Sequence, residues 1–149
     1  MYKHILVPTD GSALSLKAAK AAVALAKAID AKLTALYVIP LWYPTLGAEG
    51  MRPDNQADLE QAYLKSKRAQ AHAAIAAIEK MAAKAGVACA NLQVTGDQPW
   101  DGIIRAAAKQ RCDLIVMASH GHRGLKGLLL GSETVKVLTH SKTPVLVCR

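Results

Sequence analysis

His4–Ile39 reads HILVPTDGSALSLKAAKAAVALAKAIDAKLTALYVI, and its pattern decides the fold. His4-Ile5-Leu6-Val7-Pro8 is a short apolar run closed by Thr9-Asp10-Gly11-Ser12, the mark of a buried strand running into a turn. From Ala13 to Ile29 the apolar residues take helical spacing, with Ala18, Ala22, Leu25 and Ile29 on one face. The Ser12 hydroxyl can cap this helix by accepting an unpaired N–H of its first turn. Asp30-Ala31 forms the exit, and Leu33–Ile39 is a second strand closed by Pro40. Strand, helix and strand in this order predict a parallel pair joined by a right-handed crossover.

The same alternation continues outward. Gln56–Lys84 predicts a long helix with a buried stripe of Leu64, Ala71, Ile75, Ile78 and Ala82, stopped by Gly86. Val87–Val94 is a third strand, polar enough to lie near an edge. Gly96-Asp97-Gln98-Pro99 opens another helix, with Asp97 as the expected N-cap, Pro99 in the first turn and Trp100, Ile103, Ile104 and Ala107 inward. Leu114–Ala118 is apolar throughout and is expected to be central. A helix from Ser132 to about His140 and a last strand, Pro144–Cys148, complete the chain. The expectation is an α/β fold over residues 1–149 as one domain. It is a five-stranded, open, parallel, Rossmann-like sheet with helices on both faces.

Composition narrows the function. At 149 residues the chain can bury roughly 70% of its unfolded surface without disulfide or metal. Hydrophobic residues make up 52%, but aromatics only 4%, so Ala, Val, Ile and Leu must form the core. Cys89, Cys112 and Cys148 form no C-x-x-C pair, which disfavours zinc and dithiol chemistry and fits reduced thiols in a cytoplasmic protein. No signal peptide and no apolar run of about 20 residues is evident, so no membrane partner is expected. The net charge of +8 favours an anionic partner. Its cations are scattered along the chain, so nucleic acid is not the expected one.

Ligands of open parallel sheets bind beyond the carboxyl ends of the strands, where strand order reverses. Thr9-Asp10-Gly11-Ser12 follows the first strand, and a glycine-rich stretch, Gly121–Gly131, follows the fourth. The second can cradle phosphate: glycines allow close backbone approach, and Gly131-Ser132 precedes a helix with free N–H donors. Ser132 and Thr134 can add hydroxyls, and Arg123 and Lys126 charge. A serine-capped surface loop is the plainer alternative. Asp10 can bond a ribose hydroxyl or adenine amine, help hold a metal, or simply shape the turn. Val38 can wall a base or pack the core. His120 and His122 lack a third ligand nearby and fit phosphate or loop hydrogen bonding better than metal. No Walker A loop, G-x-G-x-x-G fingerprint, G-x-S-x-G elbow or H-E-x-x-H pair occurs.

Together, Ile5–Ser12, Leu36–Ile39, Gly96–Pro99, Asp113–Gly121 and Pro144–Val147 resemble the universal stress protein family in its ATP-binding branch, over the entire chain. The family's signature is G-x-x-G, nine residues, then G-[ST]. Gly121 and Gly131-Ser132 match it, with Ala118 at the first glycine. The resemblance implies adenine and ribose near Pro8, Thr9, Asp10 and Val38. It implies phosphates, with Mg carried on ATP and no metal held by protein alone, near Met117, Ala118, His120, Gly121, Arg123, Gly131, Ser132, Glu133 and Thr134. It also implies a stress-response regulator with no catalytic residue. Slow ATP hydrolysis or nucleotide transfer is one alternative, and binding of nucleic acid or another anion a second. The segment from Pro40 to Asn55 is expected to act as a lid, cut first near Arg52. A homodimer is expected through the last strand, whose apolar edge nothing later in the chain covers. Gly131→Val is expected to abolish nucleotide binding and leave the fold.

Overall fold

The computed structural model describes residues 1–44, 54–121 and 130–149. The elements are β1 (His4–Pro8), α1 (Ala13–Ile29), β2 (Lys32–Pro40), α2 (Gln56–Ala85), β3 (Cys89–Gly96), α3 (Pro99–Lys109), β4 (Leu114–Ala118), α4 (Ser132–His140) and β5 (Val145–Cys148). The five strands form one sheet, all parallel, in the order β3-β2-β1-β4-β5. The predicted Rossmann-like α/β architecture is the one observed.

Side-chain alternation along the strands builds two cores. Ile5 and Val7 of β1, with Leu33, Ala35, Tyr37 and Ile39 of β2, pack against α1 and α2. Leu6 and Leu36 face the other way, onto Ile103, Ala106 and Ala107 of α3 and Val137 of α4. Alanine dominates the buried stripes of α1 and α2, so these helices sit close to the sheet and to each other. On the other face, a Cβ on Gly102 would lie 3.0 Å from Val38 Cγ2, so α3 also rides close on β2.

Local signals hold at most helix ends. Ser12 Oγ accepts the Ser15 N–H at 3.1 Å, the predicted N-cap. Asp30 leaves α1 in the left-handed conformation, with its N–H on the Ala26 carbonyl. Gly86 does the same for α2 with φ +74°, and Val87 N–H then closes on Ala82 O at 2.9 Å. That closure uses Val87 to end the helix. The third strand therefore begins at Cys89 rather than Val87, and runs on to Gly96 because β2 pairs with it as far as Pro40.

As expected, β4 is an interior strand, buried throughout, one place inside the β5 edge, with β1 in the middle. One further expectation changes. Asp97 does not cap α3: the N-cap is Gln98, without a side-chain cap bond. Asp97 instead accepts the Tyr43 hydroxyl at 2.6 Å. The acceptor for α3 comes from a distant helix, where Glu133 Oε2 takes the Trp100 N–H at 2.8 Å.

Candidate functional site

Strand order reverses between β1 and β4. The chain leaves β1 toward β2 and β3, then returns across the sheet to β4 and β5. The crevice at their carboxyl ends is the expected ligand position. Two segments meet there: residues 9–12 after β1, and 119–121 after β4.

The first segment is a rigid turn. Asp10 Oδ1 accepts the Ser12 N–H at 3.0 Å. Gly11 has φ +80°, where a side chain would be strained, and its Cβ position is 3.5 Å from Ala74 of α2. Thr9 is buried, and its hydroxyl oxygen accepts the Gly11 N–H at 3.1 Å and shares a 2.9 Å hydrogen bond with the Ser15 hydroxyl. Thr9 thus shapes the turn, and Asp10 is left half-buried at its lip. Burial first, then the charge of Asp10 and the phenol of Tyr63, pushes the Tyr37 hydroxyl pKa up. Tyr37 therefore stays protonated beside Asp10.

The second segment comes within touching distance of the first. A Cβ on Gly121 would run into the Asp10 carboxylate. Glycine at 121 is what lets Asp10 lie across the end of β4. Ser119 is fully buried and was not among the residues singled out from sequence, although it sits inside the Ser119-His120-Gly121 run. Its carbonyl accepts the Gly131 N–H at 2.7 Å, and its hydroxyl pairs with His120 Nδ1 at 3.1 Å. Ser119 so closes the two ends of the glycine-rich stretch onto each other.

Gly131 is held as tightly. A Cβ there would stand 2.9 Å from His120 Cβ and 3.1 Å from His120 Cα. The expectation that Gly131→Val leaves the fold untouched does not stand, because the new side chain meets protein before it could meet phosphate. Beyond Gly131, Ser132 is exposed at the start of α4, where the first-turn N–H groups have no acceptor within the helix. Thr134 is buried, and its hydroxyl donates to the Ala118 carbonyl at 3.1 Å, tying α4 to the end of β4.

Asp10, His120, Gly121, Gly131 and Ser132 are thus gathered at one end of the sheet. Pro8, Met117 and Ala118 lie buried beneath them in β1 and β4. Val38 is half-buried one strand away on β2, against Gly102 of α3, in the packing role allowed for it. Glu133 is turned toward α3 and pairs with Lys136 at 3.6 Å. Arg123, Lys126 and His122, and the part of the expected lid from 45 to 53 with Arg52, lie outside the described residues. Among the described residues no three His, Cys, Asp or Glu side chains converge to hold a metal, and no helix is long and apolar enough to cross a membrane.

Comparison with known proteins bears on this arrangement. The model of the universal stress protein family matches residues 1–149. The chain is 37% identical to universal stress protein MJ0531 of Methanocaldococcus jannaschii, over all of this chain and 83% of the relative. The solved structure of universal stress protein UspA from Lactobacillus plantarum superposes with a TM-score of 0.82 at 27% identity, covering 99% of this chain and 98% of that one. A universal stress protein solved in complex with cAMP superposes with a TM-score of 0.72 at 29% identity, covering 99% and 97%. The chain belongs to the universal stress protein family.

Proposed function

We infer that this protein binds an adenine nucleotide, ATP with its Mg, in the crevice between the ends of β1 and β4, and acts as a cytoplasmic regulator rather than a catalyst. The observation that carries the reading is the approach of Asp10 to Gly121. It brings a carboxylate suited to ribose or the adenine amine beside a phosphate cradle built on glycine and a helix N-terminus. The residues present fit a phosphate in one respect: Ser132 stands exposed at the start of α4, where the first-turn N–H groups have no acceptor within the helix. The bound cAMP in a family relative supports an adenine nucleotide here. In this reading Asp10 would orient the sugar and Ser132 and the α4 N-terminus would hold phosphate oxygens, with Mg supplying charge neutralisation to the phosphates.

The β5 edge completes the proposal. Leu146 is 43% exposed on that edge strand, and Leu138 and Val135 of α4 are 42% and 46% exposed. An exposed apolar edge strand invites pairing, and a two-fold homodimer through β5 would cover it.

Calorimetric titration of the purified chain with ATP and Mg, alongside AMP and cAMP, tests the nucleotide reading. Saturable one-to-one binding, weakened at least tenfold by Asp10→Ala in a folded protein, is expected. Absence of binding to all three, or an affinity indifferent to Asp10→Ala, overturns it.

A further inference from the structure

The positive charge is scattered along the sequence but gathered by the fold. Helix α1 carries three lysines and no acid, and α2 carries five cations against three acids, so the pair has a net charge of +5. The helices of the opposite face, α3 and α4, together have a net charge of +1. The two ion pairs among the described residues, Arg105–Asp101 and Lys136–Glu133, also lie on that opposite face.

The cations of the α1/α2 face point outward. Lys17, Lys20 and Lys27 are exposed on α1. Lys65, Arg68, Lys80 and Lys84 are exposed on α2. Two of the acids of α2, Asp58 and Glu60, sit in its opening turns. The third, Glu79, accepts the Asn91 side-chain N–H at 2.8 Å, toward the β3 edge.

What separates the cations decides the partner. Ala21 and Ala24 lie between the lysines of α1 and Ala28 follows them, and Ala69, Ala73 and Ala83 lie between the cations of α2, all exposed. A membrane-surface helix needs large apolar side chains to insert, and single-stranded nucleic acid needs aromatic platforms for its bases. The α1 surface has no aromatic, and the one aromatic of α2, Tyr63, donates its hydroxyl to the Pro40 carbonyl. Leu59, 42% exposed, lies before Lys65; from there to Lys84 the exposed residues are Lys, Arg, Ala, Ser, Gln and His, a surface that engages charge. From Lys65 to Lys84 it extends about 28 Å at about 1.5 Å per residue. That is roughly eight base pairs of duplex at about 3.4 Å each.

We propose that the outer face of α1 and α2 is a docking surface for the phosphate backbone of double-stranded nucleic acid, independent of base sequence. It reverses the sequence-based expectation, because adjacency in space, not along the chain, makes the patch.

The test is fluorescence anisotropy of a labelled 20-base-pair duplex of mixed sequence with the full chain, between about 50 and 200 mM salt. Five to seven phosphate contacts give a slope of log K against log salt of about −4.5 to −6. Lys20→Glu, Lys27→Glu and Lys80→Glu combined should weaken binding at least tenfold and make the slope shallower by about 3. Lys109→Glu, Lys142→Glu and Arg149→Glu, an equal charge change elsewhere, should weaken it less than threefold. Should the first triple variant melt early, the same positions changed to Gln serve, and the ordering should persist. Equal losses in both sets would mean that net charge alone binds, and would overturn the surface. So would failure of the wild type to bind the duplex at about 50 mM salt, or binding to phosphatidylserine vesicles with no duplex binding at all.

Discussion

Glu133 and Trp100 lie 33 residues apart, yet the carboxylate of the first accepts the backbone N–H of the second at 2.8 Å. One helix thus supplies the cap of another. The contact is reinforced at both ends, since Lys136 pairs with Glu133, and the Trp100 ring stacks on His140 with centroids 4.9 Å apart. It links α3 to the helix whose N-terminus bounds the candidate phosphate site.

Removing that cap has a defined cost. Glu133→Ala should destabilise the protein by about 0.5–2 kcal/mol, the range for a lost helix cap. Glu133→Gln, which keeps an acceptor, should lose less than half as much. Urea unfolding followed by far-ultraviolet circular dichroism measures both. Equal losses would show that the carboxylate does not act as the cap.

Gly121 and Asp10 should be coupled. Gly121→Ala forces a methyl into the Asp10 carboxylate, and overpacking of this kind costs about 1–3 kcal/mol. Asp10→Ala in the same chain should recover most of that stability. A double-mutant cycle of thermal unfolding reads the coupling, and additive effects would mean that the two residues do not meet.

Stability should fall with acid in two stages, both at the amino end of the sheet. His4 is buried, with Nε2 2.7 Å from the Thr34 hydroxyl. Burial first, then Lys32, pulls its pKa down, although the Gln110 backbone and Asp113 oppose this. The neutral ring is favoured in the fold, so its contribution is complete above the ordinary histidine pKa of about 6.5 and is lost as pH falls through the lower folded value. At Asp113 burial acts upward. The backbone N–H groups of His4 and Lys3, at 3.0 and 2.8 Å, together with its own, outweigh it and hold the carboxyl below the usual range. That stabilisation is present above the unfolded carboxylate pKa and lost as pH falls through the folded one. Melting temperatures from pH 8 to 3 should show both steps, and Asp113→Ala should remove the lower.

The wild type should be dimeric at micromolar concentration, and Leu146→Asp should give monomers. Leu146 is exposed, whereas Val145 packs against the α3/α4 core, so charge at 146 spares the fold and charge at 145 does not. Light scattering with a melting curve on the same sample decides it. A folded Leu146→Asp protein of unchanged size would place any dimer elsewhere.

The order of elements was legible in the chain because it rests on local physics. Apolar runs such as Leu114–Ala118 read as buried strands, the spacing of Ala18 and Ala22 as a helix, Ser12 as its start signal and Gly86 as the stop signal of α2. The position of the crevice followed too, because alternating strands and helices imply a sheet whose carboxyl ends converge. What tertiary structure alone decided depends on residues far apart in sequence. Asp97 has the chemistry of a cap, but Tyr43 takes its carboxylate and Glu133 caps α3 instead. Gly131 looked like room for phosphate, but its space is set by the Cβ and Cα of His120. The lysines of α1 and the cations of α2 looked dispersed, yet packing these helices side by side on the sheet makes them one face. Periodicity and caps act over a few residues and are written in the chain. Close approach, shared acceptors and summed charge act through space, and only the folded arrangement brings their partners together.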